Sequence, residues 1–213
     1  MGRRENEVVS RLLRWHQSNR RDFPWRTKPD PYRVLVAEFF LQRTPAQRVA
    51  SLYESFLATF PTPEALASAT PEVLQNFASL GLGKRMRWLL QSAKLIRDRH
   101  GGKVPDDYAE LIALPGVGDY TASAVLSFGY RRDMPIVDVN VARVIGRLYG
   151  VPDPPRTGNR TIRTLLGRMY PPGKGPDFNE AILDFGATVC MKHPLCDDCF
   201  LDHMCSRAVT GVA

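Results

Sequence analysis

Apolar positions recur at helical intervals along most of the chain. Val141, Val144, Ile145 and Leu148 stand at i, i+3, i+4 and i+7; so do Ile162, Leu165, Leu166 and Met169, and again Phe178, Ala181, Ile182 and Phe185. Three Thr-Pro pairs, Thr44-Pro45, Thr62-Pro63 and Thr70-Pro71, each precede such a segment. A threonine at the N-cap accepts a bond from an orphan amide, and proline at the first helical position has no amide to orphan. Breaks at Gly81-Leu82-Gly83, Gly101-Gly102 and Pro171-Pro172-Gly173 separate further helices. The one extended stretch is Met134-Pro135-Ile136-Val137, and neither an internal repeat nor a low-complexity segment is present. The pattern predicts an all-α fold of roughly ten short helices.

Composition narrows this reading only a little. With 213 residues, 44% hydrophobic and 24% charged, the chain falls in the globular range, which excludes disordered and fibrous classes. No apolar run approaches the roughly 18–20 residues of a membrane span, and Met1–Glu7 leads into no secretory segment. The expectation is a soluble cytoplasmic protein. Charge changes the picture more. Lys plus Arg is 29 against 22 Asp plus Glu, a net +7 with a pI near 9.5. Residues 84–103 carry Lys84, Arg85, Arg87, Lys94, Arg97, Arg99 and Lys103 against Asp98 alone, and residues 131–174 are similarly basic. Such runs are either solvated helix faces or a surface for a polyanion, and composition does not choose between them.

Four features carry chemistry. All four cysteines, Cys190, Cys196, Cys199 and Cys205, fall in one C-terminal loop with the spacing C-x5-C-x2-C-x5-C. One compact loop of four thiols favours a metal centre over disulfides. Structural zinc, with His193 or His203 as substitute ligands, and a [4Fe–4S] cluster both suit that spacing. The second feature, Leu114-Pro115-Gly116-Val117-Gly118, lies between helical patterns at 106–113 and 119–130. It reads as a helix–helix turn or as a phosphate-binding turn that offers backbone amides at a helix start. Third, Asp138 enters a strongly periodic helix twenty residues after Gly118. An N-cap is one role for it, and a carboxylate at a helix N-terminus can also serve catalysis. Fourth, Glu38 sits among Val34, Leu35, Val36, Phe39, Phe40 and Leu41, where a carboxylate is costly to bury unless paired.

Together the LPGVG hairpin, the aspartate twenty residues on and the four-cysteine loop resemble the base-excision DNA glycosylases of the endonuclease III superfamily, the helix–hairpin–helix, Gly-Pro-Asp type. The likeness extends to Phe23-Pro24-Trp25-Arg26, to Glu38 through Thr44 and to Phe178 through Cys190. The resemblance implies a [4Fe–4S] cluster on Cys190, Cys196, Cys199 and Cys205, although the first gap is five residues where the family usually has six. It implies two interleaved helical domains: a six-helix domain over 21–131 containing the hairpin, and an N/C-terminal domain of 1–20 with 132–213. The active site would then lie in the cleft between them, with Glu38 and Tyr120 on one wall and Asp138 on the other.

The same resemblance assigns roles. Bifunctional members carry a Schiff-base lysine two residues after the hairpin's last glycine; here that position is Tyr120, which implies a monofunctional enzyme that leaves an abasic site. Asp138 would stabilise the oxocarbenium-like sugar, and Glu38 would hydrogen-bond or protonate the leaving base. Gln42 would fill the gap left by the flipped nucleotide, Arg43 would read the partner base, and Leu82 would wedge the opposite strand. Pro115, Gly116, Val117, Gly118 and Asn140 would contact the DNA duplex, bound by a monomer. Two branches compete. The MIG-type thymine glycosylases, acting on G·T and G·U mismatches, are similar in the arginine before Thr44 and in Tyr120. Adenine glycosylases usually show Gln-Gln-Thr in place of Gln42-Arg43-Thr44 and Tyr-Tyr in place of Lys84-Arg85, and usually append an 8-oxoguanine-reading domain; eight residues follow Cys205 here. Thymine or uracil opposite guanine is therefore the expected target, with adenine opposite guanine or 8-oxoguanine as the alternative. A non-catalytic, DNA-binding iron–sulfur protein is the remaining class.

Overall fold

The structure is a computed structural model that describes residues 2–77, 83–151, 158 and 160–206. All regular structure among the described residues is helical: twelve α-helices, one π-helical turn and one 3-10 turn, with no strand. The chain divides into two compact units, Asp22–Arg131 and Met1–Arg21 with Arg132–Ala213.

In the contiguous unit, α2 (Pro24–Thr27), α3 (Pro31–Leu41), α4 (Ala46–Thr59), α5 (Pro63–Ala67) and α6 (Pro71–Gln75) precede the long α7 (Gly83–His100). Then come α8 (Tyr108–Ile112) and α9 (Asp119–Ala124), which runs into the π-helical turn Val125–Gly129. The central element is α3, buried from Tyr32 through Phe40 apart from Arg33. A helix apolar on all sides must be surrounded, and α3 packs on α2, α4, α7, α9 and the π turn. Asp30 starts it by accepting the Arg33 amide at 2.9 Å, with Pro31 at the first position. Phe40, Phe56, Phe60 and Phe77 form an edge-on aromatic cluster beside it, each ring burial contributing about 2–3 kcal/mol. Gly129 is needed for close approach, because a Cβ there would lie 2.7 Å from the Pro31 Cα.

The Thr-Pro pairs behave unequally. Thr62 caps α5 by accepting the Ala65 amide at 3.2 Å. Thr70 is the N-cap of α6 but makes no capping bond to a backbone amide. Thr44 is not an N-cap: Pro45 holds that position for α4, and the Thr44 hydroxyl accepts from Arg85 at 3.1 Å instead. A guanidinium arriving from another helix has taken the oxygen that local sequence offers to an amide.

The other unit joins α1 (Arg3–Asn19) to α10 (Val139–Tyr149), α11 (Arg160–Met169) and α12 (Gly175–Thr188). Along α1, Val8, Val9, Leu12 and His16 are buried, and this stripe packs on α12. The interface contains charge. Asp184, fully buried on α12, lies 3.2 Å from His16 Nε2 and accepts from Arg21 Nε at 2.6 Å and the Arg21 amide at 3.0 Å. Glu180 beside it pairs with Arg20 Nε at 2.8 Å. Buried carboxylates persist only when partnered this fully. Arg21, assigned from sequence to the contiguous domain, therefore belongs with the terminal unit, because its backbone and side chain both hold Asp184. Asn179 on α12 fixes the 134–137 segment: its Oδ1 accepts the Ile136 amide at 3.3 Å and its Nδ2 donates to Met134 O at 2.8 Å. No helix among the described residues is long and apolar enough to cross a membrane.

Candidate functional site

In the contiguous unit the hairpin and the end of α3 are tied together. Glu38 is buried on α3 at 8% exposure, and Gln42 is that helix's C-cap. The Gln42 side chain donates to Gly116 O at 3.2 Å, and Ser92 on α7 donates to Pro115 O at 3.0 Å. Gly116 has φ +80°, and a Cβ on it would lie 2.9 Å from both Phe39 Cε1 and Trp88 Cε3. Conformation and space both demand glycine there. Of the hairpin residues expected to hold phosphate, Pro115 has no N–H, and the Val117 amide donates to Leu114 O at 3.1 Å. The turn's other two amides are those of Gly116 and Gly118. Gly118 is the N-cap of α9, Tyr120 lies half-buried on that helix's first turn, and Tyr108 Oη donates to Asp119 at 2.9 Å. Arg43 is exposed, with φ 58°. Leu82 falls outside the described residues.

In the terminal unit Asp138 caps α10. Its Oδ1 accepts the Val141 amide at 2.7 Å, and its Oδ2 accepts Asn140 Nδ2 at 2.8 Å. Asn140 is itself held, since Arg143 Nη2 donates to Asn140 Oδ1 at 2.8 Å and to Gly186 O at 2.7 Å. Arg143 Nε continues to Cys190 O at 2.9 Å. An unbroken hydrogen-bonded path thus runs from Asp138 through Asn140 and Arg143 to the first cysteine. α10 and α12 meet closely enough that a Cβ on Gly186 would lie 2.9 Å from the Asn140 Cβ.

Arg147, one turn beyond Arg143, donates to Met191 O at 2.6 Å, Lys192 O at 3.1 Å and Cys190 Sγ at 3.4 Å. The Cys205 thiol donates back to Arg147 O at 3.4 Å. Burial pushes the Cys190 thiol up, and Arg147 and Arg143 pull it part of the way down again. Cys199 is pushed up to about 11, by burial first, with Cys190, Cys205 and Cys196 as neighbours that raise it further. All four thiols therefore share one locality. Four thiolates on a single zinc would stand only about 3.8 Å apart, given tetrahedral Zn–S bonds of about 2.3 Å. No three His, Cys, Asp or Glu side chains gather closely enough to hold one metal ion among the described residues. Four thiols in one loop are the donor set of either a structural zinc or a [4Fe–4S] cluster.

Sequence reasoning did not single out Arg143 and Arg147. The signal was available, because Asn140, Arg143 and Arg147 form one polar stripe at i, i+3 and i+7 on an otherwise apolar helix.

Residues 36–168, more than half of the chain, match the HhH-GPD superfamily of base excision DNA repair proteins. The chain belongs to this superfamily. Among HhH-GPD relatives, the adenine DNA glycosylase of Mycobacterium tuberculosis is 41% identical over 200 residues, an alignment covering 90% of this chain and 64% of that protein. The thymine-DNA glycosylase of Aeropyrum pernix is 38% identical over 204 residues, covering 92% of this chain and 91% of that one. The solved structure of a thermostable thymine-DNA glycosylase superposes with a TM-score of 0.91 at 30% identity, covering 97% of each chain.

Proposed function

We propose that the protein is a monofunctional DNA glycosylase that hydrolyses the N-glycosidic bond of a flipped thymine or uracil opposite guanine, leaving an abasic site. Two observations carry this reading: Tyr120 occupies the position of a Schiff-base lysine, and each of the two Asp138 oxygens is held by a donor. A carboxylate fixed in this way offers a preorganised negative charge to a developing oxocarbenium ion. It also orients the attacking water. Glu38, as the buried acid of α3, serves the leaving base, and Tyr120 lines the base pocket. Gln42 takes the place of the flipped nucleotide, Arg43 addresses the partner guanine at its O6 and N7, and Leu82 wedges the opposite strand. The Gly116 and Gly118 amides hold a backbone phosphate.

The thymine and uracil choice draws on Arg43 and on the 38% identity to the Aeropyrum pernix thymine-DNA glycosylase. A second reading, adenine release opposite guanine, is favoured by the higher identity to the Mycobacterium tuberculosis enzyme. Duplexes carrying G·T, G·U, A·G and A·8-oxoguanine distinguish the two when scored for strand cleavage with and without alkali. The expected result is alkali-dependent cleavage at thymine and uracil opposite guanine. Release of adenine alone would overturn the base assignment, and cleavage without alkali would remove the monofunctional one.

Cys190, Cys196, Cys199 and Cys205 would hold a [4Fe–4S] cluster. When bound, the cluster supplies a rigid cross-link among four points of the loop. Arg143 and Arg147 donate to the loop's backbone carbonyls at Cys190, Met191 and Lys192. Purified protein is expected to be brown, with absorbance near ~400 nm, and Cys199→Ser to be colourless. Stoichiometric zinc in the native protein would assign the loop to a structural zinc site instead.

A further inference from the structure

Arg85, on the first turn of α7, directs its guanidinium into the protein's own backbone. Its Nη1 donates to Phe40 O at 3.1 Å, Phe39 O at 3.4 Å, Thr44 Oγ1 at 3.1 Å and Gln42 O. Three of these acceptors are carbonyls at the end of α3. A helix C-terminus leaves such carbonyls unpaired and partially negative, so a planar cation with several donors suits it. One side chain from α7 thereby ties down both ends of the Gln42-Arg43-Thr44 turn.

Between the two tie points stands Arg43, with φ 58°. A non-glycine residue keeps a left-handed backbone only where its surroundings over-determine it. Here the clamp supplies that constraint, and the Arg43 side chain remains exposed. The two guanidiniums are close: burial lowers the pKa of Arg85, and the charge of Arg43 lowers it further. One arginine is anchored and the other is presented.

We infer that Arg85 is a positioning residue for partner-base selection, fixing the turn in the left-handed form from which Arg43 addresses the orphaned guanine. The inference rests on the proposed reading of Arg43 as the group that meets the partner base. With the clamp removed, Arg43 relaxes to negative φ and its guanidinium loses the orientation a bidentate contact requires. A mobile arginine still attracts phosphates, so discrimination falls more than affinity.

The test compares single-turnover excision of whichever base the enzyme releases, placed opposite guanine and opposite cytosine. Wild type, Arg85→Met, Arg85→Lys, Arg43→Ala and the Arg85→Met/Arg43→Ala double variant are measured, with thermal melts to verify folding. The guanine-to-cytosine rate ratio is expected to fall at least roughly tenfold in Arg85→Met, within the range one bidentate contact supplies. Arg85→Lys, which keeps charge without the planar fork, falls less, and the double variant matches Arg43→Ala alone. Parallel loss on both partners with an unchanged ratio overturns the inference, as does a wild type without guanine preference. Should Arg85→Met not fold, an unchanged ratio in folded Arg85→Lys overturns it equally. Release of adenine with the ratio still falling sinks the thymine reading and leaves the role of Arg85 intact.

Discussion

Asp138→Asn is expected to fold normally, bind DNA, and lose at least roughly 10³-fold in excision rate, equivalent to about 4 kcal/mol on the barrier. Asparagine is as good an N-cap as aspartate. Its side-chain oxygen can still accept the Val141 amide that Asp138 holds at 2.7 Å, so α10 keeps its start. What disappears is the negative charge. The Asn140 Nδ2 that donates to Asp138 Oδ2 at 2.8 Å would also face another amide group. The substitution therefore separates the two roles that this position combines. Thermal melts and gel-shift affinity on an uncleaved duplex report the capping role, and single-turnover excision reports the chemical one. Turnover close to wild type in a well-folded variant would leave Asp138 with capping alone.

The second large effect is expected at Arg143. Arg143→Met keeps the length and apolar stem but removes the donors to Asn140 Oδ1, Gly186 O and Cys190 O. Each buried acceptor left without a donor costs about 1–3 kcal/mol, and Arg147 still reaches Cys190 O at 3.4 Å as a partial substitute. A net loss of about 3 kcal/mol follows, which for a chain of this size lowers Tm by roughly 6–12 °C. Excision is expected to fall roughly tenfold even in the folded fraction, because Asn140 no longer has a fixed amide orientation to present to Asp138. Arg143→Lys should recover only part of either quantity, since one ammonium cannot span three acceptors. A melting temperature within 2 °C of wild type together with normal excision would show that water replaces the guanidinium and that the path to Cys190 carries nothing.

The helices were legible where a single face decides them. On α10 the stripe Val141, Val144, Ile145 and Leu148 is buried as its spacing predicts, and on α12 Phe178, Ala181, Ile182 and Phe185 are all interior. Leu165 on α11 has the same periodic signal yet stays half-exposed, because spacing names a face without saying how far a neighbour covers it. Asp138 was readable as an N-cap because its capping partner lies three residues away. The groups that hold its surroundings were not. Arg143 reaches carbonyls 43 and 47 residues along the chain, and Arg85 reaches back 41 to 46 residues to the end of α3. A polar stripe such as Asn140, Arg143 and Arg147 marks such residues locally, but it does not name their distant partners until the fold places them. Thr44 illustrates the same limit from the other side: its local pattern resembles that of Thr62, yet its helix starts one residue later and its hydroxyl accepts from the distant Arg85.

The ionic knot on α12 also bears on the order in which the chain assembles. His16 and Asp184 meet across 168 residues, and Arg20 and Arg21 close the same loop. As the polypeptide is synthesised, α1 emerges early, with Val8, Val9 and Leu12 uncovered and no Asp184 to receive its cations. Residues 22–131 contain their own packing partners and are free to condense while α1 waits. Since α12 follows residues 22–131 in the chain, α1 is expected to dock on it after that unit has condensed, which a stopped-flow refolding experiment with probes on α1 and α4 would check. Until α12 arrives, the apolar stripe Val8, Val9 and Leu12 is expected to lack its cover, so truncation before α12 should leave a chain prone to aggregation.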